Sequence, residues 1–260
     1  MPIFWALFIM ARQLRRKSIM GITNNRYFLC DMHSHILPGM DDGAENVKMS
    51  LELLKQASKQ RIAAMVCTPH YYSGESVDAF LERRERARIQ LENALSKVRF
   101  AVPELWFGAE VAYYTGLIQQ EHLEKLCING TNYMLLEMPF AKWTPMVFRD
   151  IQELRNVYGI VPIIAHLERY LNIQDKKIIH TLLEMDVLVQ MNGSYLLSWR
   201  TAGKAKKMLK KGYIQILGSD CHSPSQRPQT LGLAAEQMVK WGMEETMQEI
   251  CFRSARILRG

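Results

Sequence analysis

Tyr27-Phe-Leu-Cys-Asp31-Met-His33-Ser-His35 is a short apolar run that ends on two histidines two residues apart. In an extended chain residues i and i+2 point to the same side, so the segment reads as a strand that presents two imidazoles to one ion. A lone histidine pair is weak evidence, because such pairs also arise by chance. The weight comes from what the rest of the chain repeats.

Six further β-branched or apolar runs follow at 63–67, 105–108, 133–136, 161–165, 187–191 and 213–217. Between them lie longer stretches with helical spacing, such as Leu51, Leu54 and Ala57, or Phe80, Ala87, Leu91 and Leu95. Short strands alternating with helices predict βα units around a parallel sheet or barrel, with seven strands in this chain. The run from Arg83 to Arg88 is interspersed with glutamates and reads as a solvated helix face. No repeat, low-complexity stretch or linker divides the chain, so residues 27–260 read as a single domain.

Six of the seven runs end on a residue type that binds divalent metals. The second stops at Thr68-Pro-His70, the third at Gly108-Ala-Glu110, the fourth at Leu136-Glu137, and the fifth at Ala165-His166. The seventh gives Gly218-Ser-Asp220-Cys-His222, and only the sixth, ending at Asn192, lacks a strong ligand. A barrel gathers the C-terminal ends of its strands on one face, so these residues converge although they are scattered along the chain. His122 and His180 fall in helical stretches and read as ordinary, partly exposed histidines. With one more carboxylate from the loop Asp41-Asp42-Gly43, the set holds five imidazoles and four carboxylates, too many for one ion. Two or three metals sharing a carboxylate are implied, and mixed N and O donors suit Mn²⁺, Fe²⁺ or Zn²⁺. Arg169, in His166-Leu-Glu-Arg169, and Arg227, five residues past His222, supply guanidinium forks suited to phosphate oxygens.

Composition sets outer bounds. The chain has 260 residues, 48% hydrophobic and 23% charged, which is ordinary globular material. Of its net charge of +7, four charges sit at Arg12, Arg15, Arg16 and Lys17, so no nucleic-acid stripe is indicated. The five cysteines are widely spaced without a C-x-x-C pair, which predicts reduced thiols and a cytoplasmic protein. Residues 1–26 read as a leader. Its apolar run from Ile3 to Ala11 is too short to span a bilayer, and its charges follow the run, the reverse of a signal peptide. Either it precedes a true start at Met20, or it attaches weakly to the inner face of the membrane through Phe4, Trp5 and Phe8.

Taken together, His33-Ser-His35-Ile-Leu-Pro-Gly-Met-Asp-Asp42-Gly43, Thr68-Pro-His70, Gly108-Ala-Glu110, His166-Leu-Glu-Arg169-Tyr170 and Gly218-Ser-Asp220-Cys-His222 resemble the polymerase-and-histidinol-phosphatase superfamily. The likeness is greatest to the bacterial tyrosine phosphatases of capsule and exopolysaccharide operons, and it runs from Asp31 to the C-terminus. What it implies is a distorted seven-stranded β/α barrel, TIM-like in outline, with three divalent ions, commonly Mn²⁺. The implied substrate is phosphotyrosine on a polysaccharide-synthesis kinase. Carried over by motif, His33, His35, Glu110 and Asp220 would hold one ion, Glu110, Glu137 and His166 a second, and Asp42, His70 and His222 a third. Leu167 and Cys221 vary at positions that are not ligands. Arg169 and Arg227 would orient the phosphate for in-line attack by a metal-bound hydroxide, and His222 is the candidate general acid.

Three other readings compete. Histidinol phosphate or another small phosphomonoester could use the same ions, since a fold alone does not fix a substrate. A regulatory module without turnover could keep metals but would need no phosphate-binding arginines. Cys221 and Arg227 have the C-x5-R spacing of cysteine-dependent tyrosine phosphatases, but Asp220 adjoins the thiol and Pro224 removes a loop donor, which disfavours that chemistry.

Overall fold

The computed structural model describes residues 28–260, so the leader lies outside the described residues. Each of the seven apolar runs forms a strand, with its ends shifted by a few residues. They are β1 (Leu29–Ser34), β2 (Ile62–Cys67), β4 (Glu104–Phe107), β6 (Tyr133–Glu137), β7 (Val161–Ile164), β8 (Leu188–Asn192) and β9 (Ile216–Gly218). Two short strands were not expected from the sequence: β3 (His70–Tyr71) follows Thr68-Pro69, and β5 (Glu110–Ala112) follows Gly108-Ala109. Pro69 has no N–H to give a ladder, and Gly108 packs against Ile128, so β2 and β4 end before these residues.

All pairings are parallel. One sheet has the order β1-β2-β4 and the other β3-β5-β6-β7-β8-β9. The result is a mixed α/β fold with a curled parallel sheet. At its open side Asp220 N–H donates to His33 O (2.8 Å) and His35 N–H to Cys221 O (2.9 Å), bringing the ends of β1 and β9 together. Asp31 reinforces this seam. Its buried carboxylate accepts from Ser219 N–H (2.7 Å), Ser219 Oγ (2.5 Å) and Gln229 Nε2 (2.6 Å). The contact also demands glycine: a Cβ on Gly218 would lie 2.6 Å from His33 Cβ.

Strands of a parallel sheet covered on both faces need apolar side chains on both. One face of the strands contributes Cys30, Met32, Ala64, Val66, Leu135 and Ile163 to a small core. The opposite face packs Met65, Cys67, Met134, Leu136 and Ile164 into a larger core shared with the helices. The helices are α1 (Val47–Lys59), α2 (Val77–Leu95), α3 (Pro145–Asn156), α4 (Lys176–Leu183), α5 (Gly193–Leu197), α6 (Ala202–Lys210), α7 (Leu231–Lys240) and α8 (Glu244–Arg259). Their starts follow local chemistry. Asn46 accepts from Met49 N–H and Ser76 from Ala79 N–H, and α3 opens on Thr144-Pro145.

One helix differs from its sequence reading. On α2 only Arg86 and Arg88 lie on a solvated face, paired with Glu82, Glu85 and Glu92. Arg83 reaches Glu75 and Met40 O, and Arg84 donates to Gly108 O (2.7 Å). The charge pattern could not reveal this, because the carbonyl that Arg84 caps is freed only by the break between β4 and β5. Among the described residues, no helix is long and apolar enough to cross a membrane.

Candidate metal centre

The ends of the strands carry His33 (β1), His35 (after β1), His70 (β3), Glu110 (β5), Glu137 (β6), His166 (after β7), and Asp220 and His222 (after β9) to one place. Glu110 is its centre. Buried to 1% exposure, its Oε2 lies 3.0 Å from both His33 Nε2 and His35 Nε2 and 3.4 Å from His70 Nδ1, while Oε1 lies 2.8 Å from His166 Nε2. Asp220 Oδ1 adds contacts of 3.4 and 3.6 Å to His33 and His35. Asp42 Oδ1 sits 3.3 Å from His222 Nε2 and 3.6 Å from His70 Nε2, and Glu137 Oε1 sits 3.3 Å from His166.

These donors fall into three groups able to hold an ion. His33, His35, Glu110 and Asp220 form one, as the motifs implied. Asp42, His70 and His222 gather with His35 added, and Glu110 and Glu137 gather with His70. His166 stands beside this last group, in reach of both carboxylates. Thus every residue singled out as a ligand lies in one continuous cluster.

Several observations say the cluster suits cations. His33 Nε2 faces His35 Nε2 at 3.0 Å, two lone-pair atoms that repel unless a proton or a metal lies between them. His35 Nδ1 is engaged by Asp41 Oδ2 (2.8 Å), His33 Nδ1 by Gln190 Oε1 (3.3 Å) and His222 Nδ1 by the Asp220 carbonyl (3.0 Å). Each acceptor fixes one ring nitrogen as the donor and leaves the other to ligate. His70 Nδ1, Asp220 Oδ1 and His222 Nε2 are buried without any hydrogen-bond partner, a costly state that ligation would relieve. The donor set therefore fits divalent metal.

In the absence of a cation, protons respond to the same field. Burial opposes charge on His35, but hydrogen bonds to Asp41 and Glu110 outweigh it and push its pKa up to about 10. The same contest at His166, with Glu110 and Glu137 as partners, gives about 9. At Glu110 burial is overcome by His33, His166 and His35, which hold the carboxyl well below its ordinary range. His222, with burial and then His35 acting together, falls to about 4.

Backbone strain marks the same place. Of the four non-glycine residues with positive φ among those described, two are His166 (φ 31°) and Asp220 (φ 54°). The strict alternation of an extended chain therefore fails at Asp220. Cys221 is nonetheless fully buried, and burial pushes its thiol well above the usual range, so it is no thiolate nucleophile.

Arg169 and Arg227, both about one-third exposed, converge on Asp220 Oδ2 at 2.5 and 2.7 Å. They line a cleft of about 280 Å³ together with Glu168, Asn192, Tyr195 and Gln226. Four supporting residues escaped the sequence reading. Asp41 orients His35 and also accepts from His70 N–H (2.8 Å). Gln190 Oε1 accepts from His166 N–H (2.6 Å), and its amide passes through Asn192 to Asp220 Oδ2 (2.8 and 2.7 Å). Glu168 Oε1 in turn holds Asn192 N–H (3.1 Å). The strand without a strong ligand thus supplies amides on its period-2 face, a signal present in Gln190-Met-Asn192 but carrying no ligand chemistry.

Asp41→Asn tests the supporting role. It keeps the shape but weakens the grip on His35 Nδ1, so affinity for Mn²⁺ is expected to fall about 10- to 100-fold. Titration of chelator-stripped protein measures this, and unchanged affinity would remove Asp41 from the centre.

A curled parallel α/β sheet with imidazoles, carboxylates and two guanidiniums at its strand ends defines the class as a metal-site protein of the kind that handles anionic esters. The chain belongs to the CpsB/CapC family of capsular polysaccharide synthesis, whose sequence profile matches residues 29–259. It is 30% identical to the tyrosine-protein phosphatase YwqE of Bacillus subtilis (strain 168), over 76% of this chain and 79% of that protein. To the tyrosine-protein phosphatase CpsB of Streptococcus agalactiae serotype III it is 26% identical, over 89% and 98% respectively. Its fold is similar to that in the crystal structures of YwqE from B. subtilis and CpsB from Streptococcus pneumoniae, described as unique metal-dependent tyrosine phosphatases. The TM-score is 0.76 at 23% identity, covering 89% of this chain and 94% of the other.

Proposed function

We propose that this protein is a metal-dependent protein-tyrosine phosphatase, and that its substrate is a phosphotyrosine protein, namely a tyrosine kinase of polysaccharide synthesis. The observation that carries the reading is the placement of two guanidinium forks beside a nine-donor cluster centred on Glu110. A scaffold without turnover would need no such forks. We also read the two sheets as one distorted seven-stranded barrel in which β2 with β3, and β4 with β5, are broken strands. The contacts between β1 and the segment after β9 support this.

The residues that would hold three ions are His33, His35, Asp42, His70, Glu110, Glu137, His166, Asp220 and His222, with Mn²⁺ preferred and Fe²⁺ or Zn²⁺ as alternatives. The chemistry that divalent ions supply in such a site is activation of water near neutral pH and neutralisation of phosphate oxygens. Arg169 and Arg227 would bind two non-bridging oxygens of the phosphate and hold it in line. Asp41, Gln190 and the Asp220 carbonyl fix the tautomers of His35, His33 and His222. The phenolate of tyrosine, with a pKa of about 10, departs with less acid assistance than an alkoxide. A ring committed to an ion cannot also shuttle a proton, so His222 is assigned here as a ligand and not as the acid.

The test is hydrolysis of a phosphotyrosine peptide and of L-histidinol phosphate side by side, with metal-loaded and chelated protein. Turnover of the peptide that disappears on chelation is expected, and a preference for histidinol phosphate would overturn the assignment. Cys221→Ser is expected to keep most activity in the same assay, because the thiol reaches neither the cluster nor solvent. A trapped phosphocysteine would contradict this.

A further inference from the structure

The metal cluster would hold the phosphate, but nothing in it recognises what the phosphate is attached to. Two large exposed aromatic residues lie against histidines of that cluster. Tyr72, 53% exposed, stacks on His70 with ring centroids 5.0 Å apart and planes inclined by 21°. Phe140, 54% exposed, lies 6.2 Å from His166 with planes inclined by 22°. His70 and His166 are the imidazoles on the two sides of Glu110, one meeting Oε2 and the other Oε1. The two rings therefore flank the centre from the loops after β3 and β6, strands that both border β5.

Single exposed apolar side chains are common and need no explanation. These two differ in being held. The loop bearing Phe140 is fastened by Trp143 Nε1–H to Pro139 O (3.0 Å), Gln174 Nε2–H to Ala141 O (2.6 Å) and Trp143 N–H to Gln174 Oε1 (3.1 Å). Phe140 itself packs on Tyr170 at 5.3 Å, and Tyr170 is braced by Trp143 at 5.2 Å. On the other side Tyr71 is fully buried, and its hydroxyl donates to Glu75 O (2.8 Å), pinning the turn that starts at Tyr72. Rings displayed on fastened loops pay little entropy on binding a partner.

We infer that Tyr72 and Phe140 form a binding subsite for the aryl ring of the phosphate ester, selecting aromatic over aliphatic esters. This rests on the phosphatase reading above and adds the two residues that set its specificity. Faces of Tyr and Phe suit a phenyl ring in offset or edge-on contact, whereas the short aliphatic chain of a serine offers little surface to either.

The experiment compares wild type, Tyr72→Ala, Phe140→Ala, the double variant and Tyr72→Phe. Each is loaded with Mn²⁺ and checked for equal metal content. Substrates are one peptide carrying either phosphotyrosine or phosphoserine, and a second measurement is calorimetric binding of phenylphosphonate against methylphosphonate. Each alanine variant is expected to lose roughly tenfold in kcat/KM on phosphotyrosine, mostly in KM, with a smaller change on phosphoserine. Tyr72→Phe is expected to retain the wild-type value. The preference for phenylphosphonate should vanish in the double variant. Equal losses on both peptides, or an unchanged phosphonate preference, would overturn the subsite. Absence of turnover by wild type on either peptide would instead sink the phosphatase reading, while the phosphonates would still decide the subsite.

Discussion

Glu110→Gln is expected to leave no more than about a thousandth of wild-type turnover, because it removes the one carboxylate common to two of the candidate donor groups while keeping the side chain's shape. The four imidazoles around Glu110 lie 2.8 to 3.4 Å from its two oxygens. Glutamine offers one acceptor and one donor to this ring of nitrogens, so at least one nitrogen meets an N–H instead of a negative oxygen. Bound Mn²⁺ should fall with activity. Thermal unfolding separates a lost site from a lost fold. At metal concentrations about a hundredfold above Kd, binding stabilises a protein by ~2.7 kcal/mol, which is about 5–10 °C for a chain of this size. Wild type should show that rise on adding Mn²⁺ and Glu110→Gln should not, while both unfold cooperatively. Full metal content in an inactive variant would contradict the bridging role.

Arg169→Ala and Arg227→Ala should each lower kcat/KM by about 10²–10³-fold, as for loss of a donor aimed at developing charge, with metal content preserved. Both guanidiniums end on Asp220 Oδ2. Their losses should therefore fail to add, since the two forks share one anchor and are close enough to couple. Lysine should not rescue either position, because an ammonium lacks the planar fork. If instead metal content fell in step with activity, the arginines would be holding Asp220 in place for an ion and not holding phosphate. Metal content measured beside the kinetics distinguishes these outcomes.

The candidate ligands were legible because six of the seven apolar strands stop on an ionisable residue, and a parallel fold sends all such ends to one face. His33, Glu110, His166 and Asp220 needed no more than that. Asp42 rather than Asp41 came only with the family motif, and the reason for it is geometric. The two adjoin in sequence, yet Asp41 is buried under His35 while Asp42 is 65% exposed and faces His222. The breaks that create β3 and β5 were hidden for a related reason. Pro69 and Gly108 signal interruption, but not that pairing resumes one or two residues later. Arg84 and Gln190 act through partners far away in the chain, which no local period encodes. Tyr72 and Phe140 look like surface aromatics until the histidines beneath them are seen.

The central claim is that the cluster around Glu110 works as a multinuclear metal site. Its most direct test is to strip the protein with chelator and titrate it with Mn²⁺ while following bound metal and phosphotyrosine hydrolysis together. The expected result is no turnover in the stripped protein and a rise that reaches its plateau with three ions per chain. Turnover that survives chelation, or a plateau with one ion or none, would contradict the account.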